Sequence, residues 1–120
     1  MTRLIMTVDD SASMREMVRA TLTAAGYEVV EAVDGQEALD YARDNPCDLV
    51  ISDVNMPRMD GITLVHELRN LPHYRLTPLL LLTTESSAEK KLEGKRAGAT
   101  GWIVKPFNPE QLLATMARVL

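Results

Sequence analysis

Leu49-Val50-Ile51-Ser52-Asp53 is a run of four uncharged residues that ends in an acid, and the chain leaves it through Val54-Asn55-Met56-Pro57. The apolar run predicts a buried strand, and Asn55 and Pro57 suit the loop that follows. Asp53 is then expected at the carboxyl end of a central strand, the edge where open α/β sheets keep their sites. Leu4-Ile5-Met6-Thr7-Val8, upstream, is a first apolar run ending in Asp9-Asp10. Tyr27 to Ala32 reads as a second strand and ends in Glu31-Ala32. Pro78-Leu79-Leu80-Leu81-Leu82, downstream, predicts a fourth strand ending in Thr83-Thr84, and Trp102-Ile103-Val104 a fifth ending in Lys105-Pro106.

Helical spacing fills the intervals. Ser13-Met14-Arg15-Glu16 has the form of a capping box, and Met14, Met17, Val18, Leu22 and Ala25 follow it towards a stop at Gly26. Asp34-Gly35-Gln36-Glu37 opens a second helix that Asn45-Pro46 ends. Asp60-Gly61 opens a third, with Ile62, Val65 and Leu68 on one face, and Leu71 to Arg75 reads as a polar loop. A highly charged fourth helix begins around Ser86-Ser87 and stops at Gly98; Asn108 and Pro109 start the last, with Leu112, Leu113, Met116 and Leu120 as its apolar stripe. Five strands alternating with five helices imply a parallel sheet with helices on both faces. Non-alternating apolar strands agree, because such sheets are buried on both sides.

The chain has 120 residues, fitting a single domain over 1–120, and 46% of them are hydrophobic, enough for an ordinary core. The net charge is −4 without a basic cluster, which argues against direct nucleic-acid binding and for a cation or a basic protein surface as partner. No apolar stretch reaches the ~18 residues of a membrane span. Met1-Thr2-Arg3 lacks a signal-peptide pattern, and Cys47 is the lone cysteine, so a cytoplasmic protein without an internal disulfide is expected. Cys47 itself reads as a small core residue. His66 and His73 read as solvated, and Thr7 is a polar residue in a strand expected to be buried.

Parallel strands all end on one edge. With strand order 2-1-3-4-5, Asp9, Asp10 and Asp53 converge at the switch point, with Thr83 and Lys105 on the strands beyond. Singly, each residue has an ordinary reading: the paired acids as a helix cap, Lys105 as a surface lysine, Thr83 as part of a loop. Together they make a specific pattern. Three converging carboxylates repel one another unless a cation compensates, and oxygen-only donors select a hard ion such as Mg²⁺. An amine and a hydroxyl beside a metal-bound carboxylate are what a transferring phosphoryl group requires, and an aspartate can be its nucleophile.

Val8-Asp9-Asp10, Ser52-Asp53 through Asp60-Gly61, Thr83-Thr84 and Ala97-Gly98-Ala99-Thr100-Gly101-Trp102-Ile103-Val104-Lys105-Pro106-Phe107 resemble the motifs of the response-regulator receiver domain. The resemblance covers the whole chain and is nearest to single-domain chemotaxis regulators of the CheY type. It implies a (βα)5 doubly wound, flavodoxin-like fold and phosphorylation of Asp53 by a sensor histidine kinase. It further implies Mg²⁺ held by Asp10, Asp53 and the main-chain carbonyl of Asn55, with Asp9 acting through water. Thr83 and Lys105 would contact phosphoryl oxygens, and the Lys105-Pro106 peptide would be cis. Trp102 stands where the family has a tyrosine or phenylalanine rotamer switch; Asn55 and Glu85 stand where it tunes phosphate lifetime. A monomer is implied, with a helix 4–strand 5–helix 5 face that changes and binds a target such as the flagellar motor switch protein, and with a phosphatase as a further partner.

On this reading the protein is a signalling switch, not an enzyme, although it assists its own phosphorylation and dephosphorylation. The chain ends with helix 5, so no output domain is expected; it is a complete small regulator or a domain excised from a larger one. Two other classes compete. A phosphohydrolase of the haloacid-dehalogenase type would need a second acid two residues after its nucleophile, where Asn55 stands, and a cap domain. A flavodoxin-like electron carrier would need a phosphate loop after the first strand, where Asp9-Asp10 would repel FMN phosphate.

Overall fold

The computed structural model describes residues 2–120; Met1 of the Met1-Thr2-Arg3 start lies outside them. The strands are β1 (Leu4–Val8), β2 (Glu28–Ala32), β3 (Leu49–Ser52), β4 (Leu79–Thr83) and β5 (Gly101–Val104). They form one parallel sheet in the order β2-β1-β3-β4-β5. The helices are α1 (Ala12–Ala24), α2 (Gly35–Asp44), α3 (Gly61–Arg69), α4 (Ala88–Ala97) and α5 (Pro109–Val119). The expected doubly wound (βα)5 architecture is therefore the one observed.

The central strands β1, β3 and β4 are buried on both sides, which is why they read as continuous apolar runs. Met6, Val8, Val50, Leu79 and Leu81 point to one side, where Ala38, Leu39 and Ala42 of α2 and Leu64, Val65 and Leu68 of α3 cover them. Ile5, Leu49, Ile51, Leu80 and Leu82 point to the other, against Val18 and Leu22 of α1 and Leu112 and Met116 of α5. Thr7 is buried in β1 and Cys47 lies in the core. Burial pushes the Cys47 thiol above its ordinary pKa.

Most helix starts follow their sequence signals. Asp34, Asp60 and Ser87 each accept the N–H three residues on, and Asn108 caps α5 with Pro109 at its first position. The exception is α1. Ser11, not Ser13, is its N-cap, accepting from Met14 N–H at 3.3 Å. β1 ends at Val8 and the helix begins at Ala12, so the short connection brings Ser11 to the cap and draws Ser13 into the first turn. The expected capping box on Ser13 and Glu16 is not the start of the helix.

Leu71 to Arg75, expected as a polar loop, contains a 3-10 turn over Pro72–Tyr74 with Tyr74 fully buried. The Tyr74 hydroxyl donates to the Asn45 carbonyl at 2.7 Å, and burial raises its pKa far above the ordinary phenol value. His66 is exposed as expected. His73 is exposed but not merely solvated: its Nε2 lies 2.7 Å from the Ala42 carbonyl, which can only accept, so that nitrogen carries the proton. Arg69 gathers the far end of the fold. Its guanidinium donates to the carbonyls of Gly98, Tyr74 and Thr77 at 2.7–3.0 Å, joining α3 to the end of α4 and the approach to β4. Burial lowers its pKa from the usual arginine value.

Candidate functional site

Strand register fixes the site before any side chain is considered. Val8 is level with both Ala32 and Ser52, and Thr83 with Val104. The hydrogen bonds continue one residue past the strand ends: Asp53 N–H to Val8 carbonyl at 2.9 Å and Lys105 N–H to Thr83 carbonyl at 2.8 Å. Asp9, Asp53 and Lys105 are thus each the first residue beyond a strand, on one edge of the sheet.

Carboxylate oxygens of Asp9, Asp10 and Asp53 lie within 4.8 Å of one another. Lys105 reaches across the edge, with its Nζ 2.8 Å from Asp9 Oδ2 and 3.4 Å from Asp53 Oδ2. The lysine stem is nearly covered, so the pair is formed in a partly dry environment where charge contacts weigh more than at an open surface. One ammonium against three carboxylates leaves excess negative charge, which a divalent cation would offset.

The three acids are not equivalent. Asp9 is buried, and both its carboxylate oxygens are engaged, Oδ1 by Ser11 N–H at 2.9 Å and Oδ2 by Lys105. Its carbonyl is held too, by Arg15 Nη1 at 2.6 Å. Asp53 Oδ1 accepts from Val54 N–H at 2.7 Å, and Oδ2 faces the lysine. Asp10 is exposed to solvent. The donor set is oxygen only and open on the Asp10 side. It fits a hard ion such as Mg²⁺ that keeps part of its water shell; Asp10 and Asp53 would hold such an ion directly, and Asp9, with both oxygens engaged, would act through water.

Thr83 is fully buried at the end of β4. Its Oγ accepts from Glu85 N–H at 3.1 Å, and the Glu85 carbonyl accepts from Trp102 Nε1 at 2.9 Å. One loop residue therefore links the threonine hydroxyl to the indole. Among the described residues the Thr83 hydroxyl is joined to this loop, not to the acids. Trp102 is half-buried and lies against Gly94 of α4. A Cβ at position 94 would come within 3.0 Å of Trp102 Cζ3 and of Leu81 Cδ1, so this glycine makes room for the indole. Asn55 is exposed in the loop after Asp53, and the Lys105-Pro106 peptide is cis.

The structure gives several residues roles that the sequence does not display. Glu31, at the strand end without an apparent role, pairs with Arg15 at 3.2 Å and Arg19 at 2.7 Å. Arg15 thereby braces the loop that carries both N-terminal acids. Gly61 is needed at its place because a Cβ there would lie 1.9 Å from the Asp53 carbonyl oxygen. Asp34 does more than cap α2: both its oxygens accept from Arg58, at 2.7 and 3.0 Å, and that guanidinium holds its carboxyl below the usual range. Only charge pattern could have hinted at these pairs, and it does not specify partners.

Known proteins share this fold. Residues 5–117 match the family model of the response regulator receiver domain. Chemotaxis protein CheY4 of Vibrio cholerae is 56% identical, with full coverage of both chains and a TM-score of 0.96. The receiver domain of the sensor histidine kinase PA1611 from Pseudomonas aeruginosa, solved with a magnesium ion in its active-site cleft, is 25% identical over 99% of this chain and 98% of its own, with a TM-score of 0.92. Response regulator MprA of Mycobacterium sp. (strain KMS) is 41% identical over 97% of this chain and 50% of its own length. The chain spans about half the length of the curated relatives it matches.

Proposed function

The chain belongs to the response regulator receiver family, and we propose from that premise that Asp53 accepts a phosphoryl group from a phosphohistidine of a sensor histidine kinase. The observation that carries this reading is the meeting of Asp9, Asp10, Asp53 and Lys105 at one sheet edge. In the transfer, an Asp53 oxygen forms the new O–P bond as the P–N bond breaks, and the electron pair leaves on the imidazole nitrogen. Hydrolysis later returns the carboxylate and inorganic phosphate. Lys105 turns from carboxylate to phosphoryl oxygen, and the Thr83 hydroxyl donates to another. A Mg²⁺ held by Asp10, Asp53 and the Asn55 main-chain carbonyl would neutralise charge on the phosphoryl group.

The product is a conformation, so the protein acts as a switch and not as an enzyme on a separate substrate. When Thr83 turns towards the phosphoryl group, Glu85 N–H loses its acceptor, and the same residue's carbonyl anchors Trp102. This couples the site to the face formed by α4, β5 and α5, where a target binds. The link runs through Glu85, so the indole in place of the family's tyrosine or phenylalanine still reports on the threonine. Asn55 and Glu85, two residues beyond Asp53 and Thr83 respectively, tune the lifetime of the phosphate.

A chemotaxis role, with a flagellar motor switch protein as target and a phosphatase as a second partner, is supported by the identity and two-way coverage with the Vibrio cholerae protein. A monomer acting in the cytoplasm fits that role, and among the described residues no helix is long and apolar enough to cross a membrane. MprA, twice as long, favours a second reading in which this domain belongs to a larger regulator. Pull-downs with phosphorylated and unphosphorylated protein distinguish these targets. The central proposal is tested by adding Mg²⁺ with acetyl phosphate or beryllofluoride while following Trp102 fluorescence. A response is expected in the wild type and none in Asp53→Ala; an undiminished response in the variant would overturn the assignment.

A further inference from the structure

The loop between β3 and α3 carries Asp53 at one end and Arg58 near the other. Arg58 is the one non-glycine residue with positive φ, at +67°, among the described residues. That left-handed region is unfavourable for a long side chain with a Cβ. The side chain is nevertheless tightly committed. Its guanidinium forks onto both oxygens of Asp34, at 2.7 and 3.0 Å, although Arg58 itself is 62% exposed and Asp34 only 7%. A planar fork on a carboxylate fixes direction as well as distance. Asp34 is a firm anchor, because its Oδ1 also caps α2 through Glu37 N–H at 2.9 Å.

The same loop is pressed against α2 beside this pair. A Cβ on Gly35 would come 2.7 Å from the Met59 carbonyl oxygen, so only glycine permits the contact. At the loop's root, Gly61 N–H donates to the Val54 carbonyl at 2.8 Å. Asn55 lies between these fixed points, three residues before Arg58.

We propose that the Arg58–Asp34 pair is a latch that positions the β3–α3 loop, and with it the Asn55 carbonyl, for the divalent cation. This rests on the metal-site reading given above. Arg58 touches neither metal nor phosphoryl group; it is a positioning residue that acts through the backbone.

The test uses the full chain with Arg58→Ala, Arg58→Gly and Arg58→Lys. Magnesium affinity is measured by titration calorimetry, and amide hydrogen exchange of residues 54–59 is followed in metal-free protein. Arg58→Gly is the informative variant, because it removes the ion pair and the backbone strain together. Mg²⁺ binding is expected to weaken about threefold to tenfold in both Arg58→Ala and Arg58→Gly, and less in Arg58→Lys. Loop exchange is expected to quicken in Arg58→Gly even where its melting temperature matches the wild type. Magnesium affinity in Arg58→Gly equal to that of the wild type would overturn the latch, since the backbone conformation alone would then suffice. A melting temperature that falls while affinity holds in every variant would overturn it too, by showing a purely structural pair. A wild type that binds no Mg²⁺ would overturn the metal-site reading and this proposal with it, an outcome distinct from equal binding by all four proteins.

Discussion

Replacing Gly94 by alanine sets helix propensity against the position of Trp102. Glycine in a helix interior is about 1 kcal/mol less favourable than alanine, so on propensity alone Gly94→Ala stabilises α4. The new methyl would, however, lie 3.0 Å from Leu81 Cδ1 and from Trp102 Cζ3, with Trp102 Cε3 at 3.3 Å. Leu81 is fully buried and has nowhere to go; Trp102 is half-buried and can swing outward. Doing so breaks the bond from Nε1 to the Glu85 carbonyl, a loss of about 1 kcal/mol, and exposes part of the indole. The gain is thereby cancelled or slightly exceeded, and the indole emission shifts to the red. A double-mutant cycle with Trp102→Ala isolates the effect, read by urea unfolding with circular dichroism. Without the indole, the space it vacates also lets Leu81 Cδ1 give way, so Gly94→Ala recovers most of its propensity gain, giving a coupling of about 1–2 kcal/mol. Additivity within about 0.3 kcal/mol, or a stabilised single variant with unchanged emission, would refute the reasoning that this glycine exists to seat the tryptophan.

Three further outcomes follow from the same geometry. Arg69→Met strips hydrogen bonds from the carbonyls of Gly98, Tyr74 and Thr77 and is expected to lower unfolding stability by about 2–4 kcal/mol; a urea midpoint like that of the wild type would contradict it. Gly61→Ala places a methyl against the Asp53 carbonyl, so it should cost about 3 kcal/mol and weaken Mg²⁺ binding in calorimetry. Arg58 holds the Asp34 pKa down, and a carboxylate depressed on folding adds stability above its unfolded value that is lost as pH falls through the folded one. The stability gap between wild type and Arg58→Ala should therefore be full near neutrality and shrink below roughly pH 4, as denaturant melts across that range would show.

The fold was legible because its signals are local. Apolar runs ending in Asp9-Asp10, Asp53, Thr83 and Lys105 mark the strands, and Asp34, Asp60, Ser87 and Asn108 mark helix starts. The same run ends locate the acids and the lysine, since parallel strands deliver their last residues to one edge. What escaped depends on distances between segments. Ser11 and Ser13 are chemically interchangeable as caps, and the length of the β1–α1 connection chose between them. Tyr74 looks like loop polarity until its hydroxyl finds the Asn45 carbonyl.

The role of Glu85 is the one that residue types hide most completely. A sequence displays side chains, and it marks Glu85 only by its place two residues beyond Thr83. The link to Thr83 and Trp102 is made by its main chain, the N–H donating to the Thr83 hydroxyl and the carbonyl accepting from the indole. Any residue except proline supplies both groups, so no pattern of residue types can reveal the connection. What the pattern does constrain is the distance along the chain. Glu85 stands two residues beyond the threonine, close enough for its N–H to return to that hydroxyl, while β5 runs beside β4 and places the indole within reach of its carbonyl. A proline at position 85 removes the N–H and keeps the carbonyl, and Glu85→Ala serves as the control for loss of the side chain, whose Oε1 accepts from Ser87 N–H at 3.4 Å. If the coupling runs through this peptide, Glu85→Pro should leave phosphorylation of Asp53 by acetyl phosphate measurable, while uncoupling the Trp102 fluorescence response from it. A variant that is phosphorylated and still shows the full fluorescence change would place the coupling elsewhere.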